Sequence, residues 1–156
     1  MGFSGLPRPL RAIFTEAYAV IPKGVMQDIV TSLLPHWDNT RAWIIARPLS
    51  GFAETFSQYI MEVAPGGGST HPEPDADAEC VLFFVAGGAT VIIAGKVHTL
   101  KTGGYAYIPS GTKWTLKNDG SEPAKFHWVR KSYEVSEGIA KPDVFVTSDA
   151  EVKAHP

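Results

Sequence analysis

The feature that most constrains this chain is a series of short apolar runs punctuated by glycine between Glu79 and Tyr133. Val81–Ala86 is followed by Gly87–Gly88, Thr90–Ala94 by Gly95–Lys96, Val97–Leu100 by Thr102–Gly104, and Tyr105–Ile108 by Pro109–Gly111. Glycine reaches the positive φ that tight turns require, so the series predicts four strands joined by hairpin turns. Trp114–Asn118 and Lys125–Tyr133 continue it, with Asp119–Pro123 as a loop between them. Strands recurring roughly every ten residues without an intervening helical pattern predict an all-β antiparallel barrel or jelly roll.

Upstream the pattern is looser. Ala42–Ala46 and Glu54–Val63 are rich in β-branched and aromatic residues and precede the breakers Pro48 and Pro65, so both are predicted strands. Pro65–Asp77 (PGGGSTHPEPDAD) reads as a loop. Residues 1–40 form an extended N-terminal arm, with a short extended piece at Ala17–Ile21. Val25–Leu34 also reads as extended, although Val25, Ile29 and Leu33 would equally share a helix face. Residues 41–135 make the barrel, and 136–156 a covering segment and linker with one apolar run, Val144–Val146. The expected core is Ile44, Phe56, Tyr59, Met61, Leu82, Phe84, Ile92, Leu100, Tyr107, Trp114, Leu116 and Trp128.

Composition narrows the function classes. Only 19% of residues are charged, fourteen Lys and Arg stand against sixteen Asp and Glu, and there is no long like-charged run. This excludes the electrostatic footprint of a nucleic-acid or anionic-membrane binder. The longest apolar stretches fall far short of a bilayer span. The N-terminus lacks a signal-type apolar region, and Leu6 stands where a myristoylation signal needs Ser or Thr, so a cytoplasmic location is expected. One cysteine, Cys80, excludes an intramolecular disulfide framework and a Cys-rich zinc site.

Two glycine-centred motifs carry a resemblance. Gly103, Pro109, Gly111, Trp114 and Asn118 occupy in register the positions of the second cupin motif, Gly-x5-Pro-x-Gly-x2-His-x3-Asn, with Trp in place of His. Six residues separate Cys80 from Gly87, which puts Cys80 where the first cupin motif has Glu; His71 and Glu73 are the remnants of its His-x-His. The chain therefore resembles the cupin family. The stretches from Ala19 to Gly68, Glu79 to Asn118 and Phe126 to Gly138 further resemble the first half of the (S)-ureidoglycine aminohydrolases. That resemblance implies two fused cupin barrels, with manganese in the second, and release of ammonia from ureidoglycine to give ureidoglycolate. It implies that this barrel has lost its ligands, that no catalytic residue and no metal or other cofactor belongs to this chain, and that its partner is a second barrel or another copy.

The residues themselves leave alternatives open. A cupin metal needs convergent N or O donors, and the protonated indole nitrogen of Trp114 offers none. By strand alternation Cys80, Leu82 and Phe84 share one face, and Glu79, Val81 and Phe83 the other. The pocket-lining candidates are His71, Glu73, Glu79, Cys80, Tyr107 and Trp114. The period-two acids Glu73, Asp75, Asp77 and Glu79 read as a solvated stretch, without the turn glycine and bidentate Glu of a calcium loop. No cation neighbours Cys80 in sequence, so it reads as a small buried hydrophobe. His98 and His127 read as structural or surface residues. The aromatics Tyr105, Tyr107, Trp114, Phe126 and Trp128 either plug the barrel or line a small-molecule pocket. Besides the aminohydrolase reading stand a metal-free single cupin that binds a small ligand or dimerises, and a metal-dependent dioxygenase or isomerase using His71 and Glu73.

Overall fold

A computed structural model describes residues 13–14, 19–22, 34–46 and 55–155. The described residues are all-β. Eleven strands run in chain order: β1 (Ile13–Phe14), β2 (Ala19–Val20), β3 (Asp38–Ala46), β4 (Ser57–Ser69), β5 (Ala78–Ala86), β6 (Gly88–Ile93), β7 (Lys96–Lys101), β8 (Gly104–Ile108), β9 (Trp114–Lys117), β10 (Ala124–Ser132) and β11 (Phe145–Ser148). β1 and β2 pair antiparallel, and the other nine form one antiparallel sheet in the order β11-β8-β5-β10-β4-β9-β6-β7, with β3 on β4. Most of the arm, including nearly all of Val25–Leu34, lies outside the described residues.

β4 ties the sheet's two halves together. Its first half, Ser57 to Val63, pairs with β3 and β10, and Gly68–Ser69 pairs with β9. The predicted loop from Pro65 therefore starts too early: Pro65–Ser69 belongs to β4. The glycines permit this because the strand runs against another backbone. A Cβ on Gly68 would lie 2.1 Å from the Leu116 carbonyl oxygen, and φ there is +144°. Asn118, fully buried, closes the junction: its side-chain amide donates to the carbonyls of Val63 (2.9 Å) and Glu122 (2.8 Å), and its Oδ1 accepts from Gly120 N–H at 2.9 Å.

The four predicted strands after Glu79 are present as β5 to β8, but only one of their turns is a hairpin. β6 and β7 pair across Ala94–Gly95, both at positive φ, as a two-residue turn matched to strand twist requires. β5 instead pairs with β10 and β8, and β8 with β5 and β11. The chain thus changes sheet half at Gly87 and again at Thr102–Gly103. Gly87 is confined by Pro123, whose carbonyl oxygen would lie 2.3 Å from a Cβ. The predicted covering strand is the edge strand β11, pairing Phe145 with Tyr107.

Inward-facing residues build one core: Met61 and Val63 of β4, Cys80, Leu82 and Phe84 of β5, Val91 and Ile93 of β6, Leu100, Ala106 and Ile108, Trp114 and Leu116, and Phe126 and Trp128. Phe84 stacks on Phe126 at 4.8 Å. Burying such side chains is the main favourable term in folding, of order 1.5–3 kcal/mol for each large one. Two core expectations fail by register. Ile92 is 37% exposed because Val91 and Ile93 take the inward positions, and an unbroken Val-Ile-Ile run has no alternation to show which face is inside. Tyr107 lies on the outer face, since small Ala106 and Ile108 point inward. Ile44 and Phe56 are half-buried and outside the core cluster, while Tyr59 packs against its rim.

Candidate functional site

The six candidate residues separate into three places. Cys80 and Trp114 face the interior. On β5, Cys80 lies opposite Arg130 of β10, and Leu82 lies opposite Trp128. Trp37, just before β3, joins them: its ring lies 5.7 Å from Trp128 and 6.3 Å from Trp114, and Trp114 and Trp128 meet edge-on at 6.0 Å. Tyr59 completes the cluster, 5.5 Å from Trp128. These aromatic rings plug one end of the barrel.

Glu73 sits at the edge of this plug. It forms an ion pair with Arg130 through Oε1, which also accepts from Asp75 N–H at 3.0 Å. The Arg130 guanidinium in turn lies 5.4 Å over the Trp128 ring. Alternation along β10 explains the arginine's placement: Phe126, Trp128 and Arg130 occupy the inward series, and His127, Val129 and Lys131 the outward one. The carboxylate string does not line one extended edge. Asp75 Oδ1 accepts from Asp77 N–H at 2.9 Å, so Glu73 and Asp75 cap a turn, while Glu79 has moved onto β5.

Glu79 and Tyr107 meet on the outer face, where the tyrosine hydroxyl donates to Glu79 Oε2 at 2.6 Å. Burial and this carboxylate both push the tyrosine pKa up. The pair borders a cleft of about 320 Å³ that is also lined by Phe56, Cys80, Val81, Val129, Arg130 and Lys131. His71 belongs to neither group. It is exposed, its backbone N–H donates to Ser69 Oγ at 3.1 Å, and its ring meets His36 edge-on at 5.6 Å. His127 pairs with Gln58 at 3.1 Å, and burial lowers its pKa.

A cation does neighbour Cys80, contrary to the sequence reading, because the sheet brings Arg130 beside it. Burial outweighs that cation and the Trp128 indole, and the thiol is pushed up to about 12. It therefore stays protonated at neutral pH and offers neither a nucleophile nor a soft ligand. The residues present do not fit a cupin metal. Cys80 is a thiol, Trp114 has no lone pair, Glu73 is engaged by Arg130, and His71 and Glu79 point elsewhere; among the described residues no group of three His, Cys, Asp or Glu side chains comes together. Arg130 and Trp37 are the residues that sequence reasoning missed. Alternation through KFHWVRK carried a signal for Arg130; nothing in the polar turn around Trp37 did.

Among the described residues no helix is long and apolar enough to cross a membrane. Comparison with known proteins follows the same lines as the geometry. A protein of Oryza sativa subsp. japonica named "Probable (S)-ureidoglycine aminohydrolase" is 28% identical over 145 residues, covering 92% of this chain and 43% of that one. A Pseudomonas aeruginosa structure, provisionally named for induction by glyoxylate, is 56% identical, with a TM-score of 0.84 over 96% of this chain and 55% of its own. The Escherichia coli protein YlbA is 26% identical, with a TM-score of 0.79 over 92% of this chain and 57% of its own. The chain thus spans about half the length of these relatives. Residues 59–130 match the Cupin domain family, and the curled antiparallel sheet has the cupin fold.

Proposed function

We propose that this chain is the first, metal-free barrel of a two-barrel (S)-ureidoglycine aminohydrolase. The observation that carries the reading is the match to the rice protein, which runs through 92% of this chain yet only 43% of that one. A barrel plugged by Trp37, Trp114 and Trp128 suits a packing role better than a catalytic one. In the reaction water adds its oxygen at the amine-bearing carbon, the C–N bond breaks, and ammonia leaves to give ureidoglycolate. Those reacting groups and the manganese would belong to the second barrel, with this one supplying a surface on which it is built.

The test is a coupled ammonia assay with ureidoglycine. The chain alone should show no turnover, and a protein that adds a second barrel should release ammonia in a manganese-dependent way. Turnover by the chain alone would move the chemistry into this barrel, and its absence from the two-barrel protein would overturn the reading. Elemental analysis of the dialysed chain is an independent check. Less than stoichiometric metal is expected, and about one Mn, Fe or Zn per chain would revive a metal-dependent dioxygenase or isomerase.

A further inference from the structure

The two outer faces of the barrel differ in what they show to solvent. On the side built from β9, β6 and β7, one cross-strand row holds Lys117, Thr90 and Thr99, and the next holds Thr115, Ile92 and Val97. On the side built from β3, β4, β10, β5, β8 and β11, one row crosses all six strands as Trp43, Ile60, His127, Phe83, Tyr105 and Thr147. The adjacent row runs Gln58, Val129, Val81, Tyr107 and Phe145. Phe83, Val85 and Phe145 are 40%, 42% and 56% exposed, and Phe145 meets the Tyr105 ring edge-on at 6.2 Å. The solvated face of an antiparallel sheet is ordinarily polar, and a contiguous apolar patch of this extent marks an interaction surface.

The polar groups of this face are already paired within it. Gln58 meets His127 at 3.1 Å, and Tyr107 donates to Glu79 at 2.6 Å. At the rim Glu62 holds Arg41 at 2.7 Å and Lys125 at 3.4 Å. Covering the face therefore strands few polar groups, and the pattern is that of an apolar interface centre with a polar rim. Six strands spaced about 4.8 Å apart, with Lys125 and Lys131 six residues apart on β10 at about 3.3 Å per residue, give a face of roughly 600 Å². Two such faces laid together bury more than the total of about 1,000 Å² that a specific interface needs. The rim mixes Arg41, Lys125 and Lys131 with Glu62 and Glu79, so it selects no strongly charged partner, whereas a flat face with both signs at its rim can complement itself.

We propose that this six-stranded outer face is the interface of a two-fold dimer, covered by the same face of a second copy of the chain. Phe83 and Phe145 lose their exposure there, and the Gln58–His127 and Glu79–Tyr107 pairs enter it intact. The inference goes beyond the aminohydrolase reading, because it needs neither turnover nor a second barrel.

The experiment is sedimentation velocity of the chain from micromolar to submillimolar concentration. A species of twice the chain mass is expected. Phe83→Lys puts an ammonium without a partner into the covered face and should raise the dimer dissociation constant at least about a hundredfold. Phe145→Lys should act in the same direction. Val97→Lys, at a position 62% exposed on the other outer face, should leave the dimer unchanged. Thermal unfolding identifies a variant that has lost its fold, in which case the other phenylalanine variant decides. A chain that stays monomeric throughout would mean that the face is open or covered by something other than a second copy. A dimer indifferent to both phenylalanine variants, or broken only by Val97→Lys, would place the interface elsewhere. Any of these results overturns the proposal.

Discussion

β5 and β8 carry their side chains on two faces with different consequences. Inward, Cys80, Leu82 and Phe84 of β5 and Ala106 and Ile108 of β8 are buried against aromatic neighbours; outward, Glu79 and Tyr107 share a hydrogen bond beside half-buried Val81 and exposed Phe83. The inner face occupies the place where a cupin motif would hold its ligands, yet it is closed by packing. The outer face retains a carboxylate and a phenol in contact, but on an open surface. Adjacent residues of one strand thus differ in what they do because the pleat sends them into different solvents.

The comparison can be broken first at the plug. Trp114→Ala should destabilise the chain by about 3–5 kcal/mol in chemical denaturation, through lost transfer energy and a residual cavity. A loss under about 1 kcal/mol would show that the inner face is not closed by this ring. Next comes the ion pair at its edge. Glu73→Leu leaves Arg130 without its partner in a largely dry setting and should cost about 2 kcal/mol, discounted because the arginine side chain keeps 23% of its exposure. Adding Arg130→Met should recover most of that loss, since both charges are then gone.

On the outer face the effect should be smaller. Tyr107→Phe removes one hydrogen bond at a half-buried site and should shift stability by no more than about 1 kcal/mol. A larger loss would mean that the outer face contributes as the inner one does. The smallest effect concerns His127, whose pKa is lowered by burial from 6.5. Below that value the unfolded chain takes up a proton that the folded chain resists, so stability is present above it and declines as pH falls through it. Unfolding midpoints compared at pH 8 and pH 5 should show the decline, and His127→Gln should flatten it.

Much of this protein is legible without coordinates. The spacing of glycines and apolar runs predicts β5 to β10 to within three residues at each end, because a strand's length and a turn's φ are local properties of the chain. The inward set Cys80, Leu82 and Phe84 follows from simple alternation. The burial of Cys80 and Trp114 is likewise legible from the sequence.

What the tertiary structure decided is pairing. No local rule distinguishes the Ala94–Gly95 hairpin from the Gly87 and Gly103 corners, since each needs a glycine and only the second half of the sheet determines where the next strand lies. The same holds for the strand through Pro65–Ser69, whose glycines look like a loop until β9 passes against them. It holds above all for the Glu73–Arg130 pair and the Trp37–Trp128 contact. Their members are 57 and 91 positions apart in sequence numbering and meet only because the sheet curls. Sequence determines which side chains a strand offers to each face; long-range pairing determines which of them meet, and chemistry depends on the meeting.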